Sequence, residues 1–329
     1  MSLKAVLIPA GLAATLIAGW TGLWTWGAGR AEELIDRALA SEAARGRTIT
    51  CGERSRGGFP FRLELTCVKP SIAAANELGP QGTARFEKLV LVSQIWEPGQ
   101  VIMEANGPLV AEANGAEIVS ASWKLAQASA RATLAGFDTA SIVFDEVTTT
   151  VGGRPTGQAK RAAFHSRATP NDPRSVDIAT KLEGATLPLL IGDTPVDAEF
   201  QAVARNLLQV VGPGRSANLR TWQQAGGALE ITRFRVSQGD MVGLLQGLVR
   251  LTPDGRPDGQ LELKLSNPDE LIRRFGLGRM LGPLGATAIA AASQPADVEG
   301  KPGRALQLRA ANGALSLGFI RLPLPSIFP

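Results

Sequence analysis

Residues 57–68 read GGFPFRLELTCV, and this short stretch predicts the fold of most of the chain. Two glycines and a proline mark a turn, after which apolar and polar side chains alternate from Phe61 to Thr66. Successive side chains of a strand point to opposite faces, so this alternation is typical of a strand with one apolar and one wetted face. The same period of two recurs in residues 196–201 and 261–266. We therefore predict a mainly β protein built from antiparallel strands.

The two cysteines of the chain flank this turn. We predict that the strand-like runs Arg47–Cys51 and Phe61–Val68 pair as a hairpin, which would bring Cys51 and Cys67 together. A disulfide between them would close a loop of about 17 residues and contribute about 3 kcal/mol in the chain-entropy model. The alternative is a pair of free buried thiols. The spacing fits neither a redox motif nor a zinc site. The turn that this hairpin needs is formed by Gly57, Gly58, Phe59, Pro60 and Phe61.

Five dipeptides that readily adopt positive φ predict further tight turns. They are Asn106-Gly107, Asn114-Gly115, Asp254-Gly255, Asp258-Gly259 and Asn312-Gly313. The first two lie close together, so we expect a meander of short strands over residues 100–123. The last predicts a hairpin near the carboxy terminus.

The amino-terminal segment Ala5–Gly29 has no charged residue and exceeds the roughly 20 residues with which a helix spans the hydrocarbon core of a membrane. Trp20, Trp24 and Trp26 cluster at its far end, as expected for side chains at a membrane interface. Lys4 precedes the segment, so the positive-inside rule places the amino terminus in the cytoplasm and the bulk of the chain in the periplasm. We predict that residues 1–29 form a single-pass anchor in the inner membrane. A cleaved signal peptide is the alternative.

Helical patterns are few beyond the anchor. Residues 30–46 carry an apolar stripe at helical spacing and predict a juxtamembrane helix. Capping residues and apolar spacing predict a helix at Ser216–Ala225 and another that begins at Asn267 and resumes at Ala286–Ala292. We interpret them as covering helices on a sheet.

We expect residues 47–329 to form an elongated, curved antiparallel sheet, as a trough or an open sandwich, with two or three covering helices. A zone at Val151–Ser175, rich in Gly, Pro, Arg, Thr and Asn, separates two strand-rich regions. It predicts either a boundary between two sub-halves or a long surface connection with one strand near Arg161–Arg167. We favour one continuous β structure.

The chain has few of the residue types that most catalytic and metal sites require. The chain has a single histidine, His165, two cysteines and no tyrosine. Lys and Arg total 34 against 30 Asp and Glu, a balance that argues against a nucleic-acid partner. The motifs G-x-S-x-G and G-x-x-x-x-G-K-[ST] do not occur, and the glycine run 276–282 misses the dinucleotide spacing. We therefore expect no enzyme, no catalytic residue, no cofactor and no bound metal.

Several segments together resemble a known family. They are the anchor with its following helix, the Gly57–Leu63 hairpin that ends at Cys67, the Trp222 to Gly227 element, and the closing stretch Asn312–Pro323. Over nearly its whole length the chain resembles the domain-of-unknown-function family DUF2125, which comprises anchored, exported proteins of Gram-negative bacteria. The resemblance implies the compartment, and that family has no established activity or catalytic residues to carry over. The plan is also distantly similar to that of AsmA-like envelope proteins, whose β grooves are linked to lipid handling.

An antiparallel sheet with one apolar face must hide that face against a helix, a second sheet, another protein or a lipid. We therefore expect a non-enzymatic, membrane-anchored periplasmic protein that binds or passes a lipid or other apolar ligand in envelope maintenance. The alternative is an interaction or scaffold protein with a sealed β core and an envelope protein as partner.

Overall fold

The structure, a computed structural model, describes residues 3–74, 82–113, 116–188, 192–211, 218–268, 270, 291–318 and 320–328. A long apolar helix is followed by a large open antiparallel sheet, which confirms the prediction of a mainly β protein. The chain divides into two compact units. Unit 1 comprises residues 1–131 and 148–155, and unit 2 comprises residues 132–147 and 156–329.

Helix α1 (Leu3–Ala44) is a single element of 42 residues. The anchor to Gly29 and the juxtamembrane helix from Arg30 are therefore one uninterrupted helix. Arg30 pairs with Glu33 one turn later at 2.7 Å, which supports the helix where its charged part begins. At 1.5 Å per residue the helix is about 63 Å long, about twice the hydrocarbon thickness of a membrane.

The strands of unit 1 are short and antiparallel. They are β1 (Arg47–Thr50), β2 (Glu53–Gly57), β3 (Arg62–Val68), β4 (Ser71–Ala74), β5 (Gly82–Arg85), β6 (Lys88–Gln94), β7 (Glu97–Asn106), β8 (Leu109–Ala113), β9 (Ala116–Ser122), β10 (Leu125–Thr133) and the end of β11 (Gly136–Val151). One ladder runs in the order β2, β3, β6, β7, β10. The other runs in the order β1, β4, β5, β8, β9 and the end of β11.

The chain passes from one ladder of unit 1 to the other through two-residue bends. These bends are residues 51–52, 69–70, 86–87, 107–108 and 123–124. Each bend interrupts a longer run of strand, which is how a strand leaves one sheet to enter another. The alternation that predicts strands is therefore correct, but it does not reveal that most strands change ladder midway.

The bends explain why two predicted hairpins are wrong. The run Arg47–Cys51 does not pair with Phe61–Val68, because β1 pairs with β4 and a separate strand, β2, pairs with β3. The predicted turn at Gly57–Phe61 is present and joins β2 to β3. The turn predicted at Asn106-Gly107 is a bend from β7 to β8, so residues 100–123 are not a simple meander.

Trp123 fixes the bend after β7. Its indole N–H donates to the carbonyl of Ala105 at 2.8 Å, and its ring centroid lies 6.3 Å from that of Phe86. A β-carbon on Gly107 would lie 3.2 Å from the same ring, so a larger residue there would push against Trp123. The packing of the bend, and not a hairpin, accounts for this glycine.

The strands of unit 2 are longer. They are β12 (Arg154–Thr169), β13 (Asp172–Leu187), β14 (Gly192–Arg205), β15 (Ala228–Gln238), β16 (Met241–Leu251), β17 (Pro257–Ser266), β18 (Ser293–Val298), β19 (Lys301–Ala311), β20 (Ala314–Leu317) and β21 (Ile320–Pro323). The strands β12 to β17 pair in chain order as an antiparallel meander. Strand β19 pairs with β17 along one edge and with β18 and β20 along the other, and β21 pairs with β20.

Three of the remaining turn predictions can be compared with unit 2. Asn312 and Gly313 have φ of 51° and 71° and join β19 to β20, as expected for a tight hairpin. Asp254-Gly255 joins β16 to β17, also as predicted. Asp258-Gly259 is wrong as a turn, because it lies inside β17, where Gly259 pairs with Val249 and Ala310. The dipeptide Asn114-Gly115 lies outside the described residues.

One of the covering helices that the sequence predicts lies within the described residues, as the short α-helix α2 (Leu219–Gln224). The described residues also contain a 3-10 turn and helical residues at Pro268, Glu270 and 291–292. Asn218 caps α2, since its side chain accepts from the backbone N–H of Thr221 at 2.8 Å. Ser216 lies outside the described residues, as does most of the helix predicted from Asn267 to Ala292.

The zone Val151–Ser175 is not a long surface connection. The 16-residue strand β12 fills most of it and pairs with β13, with His165 opposite Ala179. The polar composition that suggested a loop reflects the wetted face of these strands.

Candidate functional site

The registers of unit 2 bring every second side chain of six strands onto one surface, which we name the apolar face. Pairing runs from Ile178 to Ala202, then to Ile231, Gly247 and Leu261, and directly paired residues share a face. The large side chains of the apolar face are Val176, Ile178, Leu182, Val196, Phe200, Leu229, Ile231, Phe234, Val236, Met241, Leu245, Val249, Leu261, Leu263, Leu265, Leu306 and Leu308. Six strands spaced at about 4.8 Å make this face about 24 Å wide.

A β-bulge keeps the apolar face continuous across β15. Thr232 is an extra residue there, because the register with β14 shifts by one residue. Ile231 and Phe234 therefore share the face although they are three residues apart. Phe234 meets Phe200 on the neighbouring strand, with ring centroids 6.0 Å apart in an edge-to-face arrangement.

Most of the apolar face is only half-buried. Five of its large side chains are buried, whereas the others keep part of their surface accessible. The buried ones are Val176, Val196, Met241, Leu265 and Leu306, with 2–9% of their surface exposed. In a closed sandwich the facing side chains would be buried as Leu306 is. Within unit 2, the described strands belong to a single sheet.

The opposite face of the same strands, the polar face, is charged. Ion pairs link Arg205 to Glu230 at 2.6 Å and Arg235 to Glu299 at 2.9 Å. The hydrogen bond from Arg235 lowers the pKa of the Glu299 carboxyl, against the opposing effect of partial desolvation. The sheet thus separates an aliphatic surface from a charged one.

The polar face holds an open cavity of about 1170 Å³. Arg205 lies at its wall and contacts Glu230 at 2.6 Å and Asp172 at 3.5 Å. A hydrogen bond from Ser175 lowers the pKa of Asp172, and the bond to Glu230 raises that of Arg205. These ion pairs neutralise one another, but three arginines line the cavity against two carboxylates, so its wall carries a small excess of positive charge.

His165 lies in a second cavity of the polar face, of about 440 Å³. Its Nδ1 is 2.9 Å from the hydroxyl of Ser141. A serine nucleophile needs a histidine that a third group orients, but Asp177 in the same cavity accepts from Arg167 and Thr169 instead. In the described part of the chain, no three or more His, Cys, Asp or Glu side chains are grouped to hold a metal ion.

The residues that the sequence singled out in the amino-terminal part lie together in unit 1. Cys51 and Cys67 form a disulfide with an S–S distance of 2.05 Å, which joins the first bend to β3. Trp24 donates its indole N–H to the carbonyl of Arg62 at 2.9 Å, and Trp20 donates to that of Pro60 at 2.8 Å. The predicted turn Gly57–Phe61 therefore contacts α1.

The local sequence pattern does not predict this contact between α1 and the turn. Nor does it indicate the position of Trp96, whose ring centroid lies 6.4 Å from that of Phe61. Trp96 lies in the turn between β6 and β7. A tryptophan between two strand-like runs is the feature of the sequence that could have indicated it. Trp26 is exposed, and the placement of the three tryptophans at a membrane interface stays a prediction.

The family model described as "Uncharacterized protein conserved in bacteria (DUF2125)" matches residues 24–325, so the chain belongs to this family. The match begins at Trp24 in α1 and covers the strands of both units. No curated protein and no solved structure matches the chain.

Proposed function

We propose that this member of the DUF2125 family is anchored in the inner membrane by α1, exposes its β units to the periplasm, and binds the acyl chain of a lipid on the apolar face. An apolar amino-terminal helix and a disulfide both support export, because disulfides persist in oxidising compartments. The proposed role is non-enzymatic and serves envelope maintenance.

A retained anchor is favoured over a cleaved signal peptide by the packing of α1. Trp24 and Ala28, one helical turn apart, are both buried, with 8% and 2% of their surface exposed. Trp24 is also bonded to the strand backbone at Arg62. Cleavage after this part of the helix would remove side chains that pack in unit 1.

The apolar face is the observation that carries the proposal of a lipid ligand. It is broad, mostly aliphatic and partly accessible. Its large apolar side chains carry no acid, base or nucleophile, although Thr180 and Arg304 also lie on this face. A methylene removed from water contributes about 0.8 kcal/mol, so an acyl chain that buries about ten of them gains about 8 kcal/mol before the costs of association. The lipid would come from the membrane that holds α1.

A second candidate function is that of an interaction protein. The same face could be covered by the apolar surface of another envelope protein, since a stable interface needs only about 800 Å² from each partner. The two candidates differ in what occupies the face.

A photo-crosslinking experiment distinguishes them. The full-length protein is reconstituted in vesicles that contain a phospholipid with a diazirine in the middle of its acyl chain, irradiated, and mapped by peptide mass spectrometry. We expect crosslinks in β15 to β17 of unit 2 as well as in α1, whose crosslinks report on the anchor. Crosslinks in α1 alone would overturn lipid binding on the apolar face, and co-purification of a stoichiometric protein that shields β15 to β17 would support the second candidate.

Adjacent residues of β17 provide a matched pair of variants. Leu263→Gln changes the apolar face, and Lys264→Gln changes the polar face of the same strand. We expect Leu263→Gln to reduce crosslinking in unit 2 at least about threefold, which corresponds to about 0.7 kcal/mol. Lys264→Gln should leave it unchanged.

A further inference from the structure

The turn between β2 and β3 lies along α1 at the end of its apolar segment. Two ion pairs join the helix to β2: Asp36 pairs with Arg54 at 2.7 Å, and Glu32 pairs with Arg56 at 3.5 Å. Closer to the amino terminus of the helix, Trp24 and Trp20 contact the turn. The helix advances about 24 Å between residues 36 and 20. Strand β2 advances about 10 Å between residues 54 and 57, where the turn begins. The hairpin therefore runs side by side with the helix and points back towards the membrane.

The tip of this hairpin is apolar and exposed. Residues 57–61 contain no charged or polar side chain. Phe61 and Trp96 keep 62% and 64% of their surface exposed, although their rings are in contact. Phe59 packs edge-on against Trp24, with ring centroids 5.5 Å apart. Two neighbouring turns thus present aromatic rings at the level of the tryptophans of α1.

The backbone of the tip is suited to a region with little water. The indole N–H groups of α1 satisfy the carbonyls of Pro60 and Arg62, and Phe61 accepts from the backbone of Ile95. Gly58 accepts from the N–H of Arg62, and a proline has no N–H to satisfy. An unsatisfied backbone group costs free energy away from water, so these bonds lower the cost of placing this turn at the membrane boundary.

Cationic residues flank the tip. Arg56 precedes it and stacks over the ring of Trp24 at 6.0 Å from the centroid, and Arg62 follows it. Both side chains remain partly exposed, at the position where lipid phosphate groups would lie above inserted rings.

We infer that the tips of the β2–β3 and β6–β7 hairpins insert into the outer interfacial layer of the membrane that α1 spans, with Phe59, Phe61 and Trp96 among the lipid headgroups and upper acyl chains. The inference rests on the proposed membrane span of α1, but not on lipid binding in unit 2. Unit 1 is then held at the membrane by two contacts, the helix and the hairpin tips.

Depth-resolved fluorescence tests this inference. Single cysteines replace Phe61 or Trp96 in the full-length chain, are labelled with an NBD fluorophore under non-reducing conditions, and are placed in phosphatidylcholine and phosphatidylglycerol vesicles. The native cysteines are joined in the disulfide and do not react. Ile118→Cys, also an exposed position of unit 1, is the matched control, and a non-reducing gel checks that the disulfide is retained.

We expect lipid-borne nitroxides to quench the labels at 61 and 96, and iodide in the water to quench them at least about threefold less than the label at 118. Iodide quenching equal to that at 118 would overturn the inference. A label at Ile17→Cys separates this outcome from failure of the anchor. If nitroxides quench position 17 but not 61 and 96, only the hairpin insertion is wrong, whereas no quenching at 17 rejects the membrane span itself.

Discussion

The hairpin tips of unit 1 and the apolar face of unit 2 are both exposed and apolar, but they are built differently. The tips are small and aromatic, and tryptophan side chains satisfy their backbone carbonyls. The apolar face is broad and mostly aliphatic, with Phe200 and Phe234 at its centre, and ladder hydrogen bonds satisfy its backbone. Exposed aromatic rings beside tryptophan N–H groups favour a membrane boundary, whereas a mostly aliphatic sheet surface favours a chain-like apolar ligand. The kind of apolar side chain therefore distinguishes a membrane contact from a ligand-binding surface, which hydrophobicity alone does not.

The two units also differ in the contacts that are expected to stabilise them. Unit 1 has mostly short strands, a disulfide and a helix packed on its hairpin, whereas most strands of unit 2 are longer and β12 to β17 pair as a meander. We therefore expect the stability of unit 1 to depend on its disulfide and its indole hydrogen bonds, and the stability of unit 2 to depend on its strand pairing. Each of the following measurements tests this difference.

The largest effect is expected from the disulfide. Replacing Cys51 and Cys67 by serine removes a crosslink between residues 16 positions apart, which we expect to destabilise unit 1 by about 3 kcal/mol. Hydrogen exchange read by mass spectrometry should show lost protection in β1 to β4 and little change in β13 to β17. Reducing the wild-type protein is the control and should reproduce the pattern. Equal loss of protection in both units would contradict the contrast.

A smaller effect is expected at the indole contacts. Trp24→Phe keeps an aromatic ring but removes the donor to the carbonyl of Arg62, at a cost of about 1 kcal/mol. We expect faster hydrogen exchange in residues 57–68, measured on the full-length protein in vesicles. The exposed Trp26→Phe serves as the matched control. If both variants exchange alike, the indole bond does not hold the hairpin.

The smallest effect is expected from the charged groups of unit 2. Arg235 lowers the pKa of Glu299 below its ordinary value of 4.5. The folded state therefore binds this proton less readily than the unfolded state, so the pair stabilises unit 2 above about pH 4.5 and is lost as the pH falls through the lowered pKa. Thermal melts between neutral and acidic pH should show a shallower acid slope for Glu299→Gln than for the wild type. Asp258→Asn is the carboxylate control, and an unchanged slope in Glu299→Gln would show that the pair does not contribute.

Local patterns in the sequence predicted many single elements. Alternation at residues 61–66, 196–201 and 261–266 corresponds to β3, β14 and β17, and Asn312-Gly313 forms the predicted hairpin. These predictions succeed because strand alternation and positive φ are properties of a few consecutive residues. The turn predicted at Asp258-Gly259 is wrong because a turn dipeptide reports only on local residues. Its pairing with β16 and β19 places it in a central strand instead.

By itself, the sequence determined that the chain begins with an apolar helix of membrane-spanning length, continues as antiparallel strands and carries two cysteines fit for a disulfide. Only the tertiary structure decided which strands pair, where they bend between ladders, and that Trp20 and Trp24 hold the tip of the β2–β3 hairpin. The physical reason is that residues far apart in the chain supply these contacts. The pattern of a single strand specifies which side chains are apolar, but neighbouring strands and helices determine whether those side chains are covered.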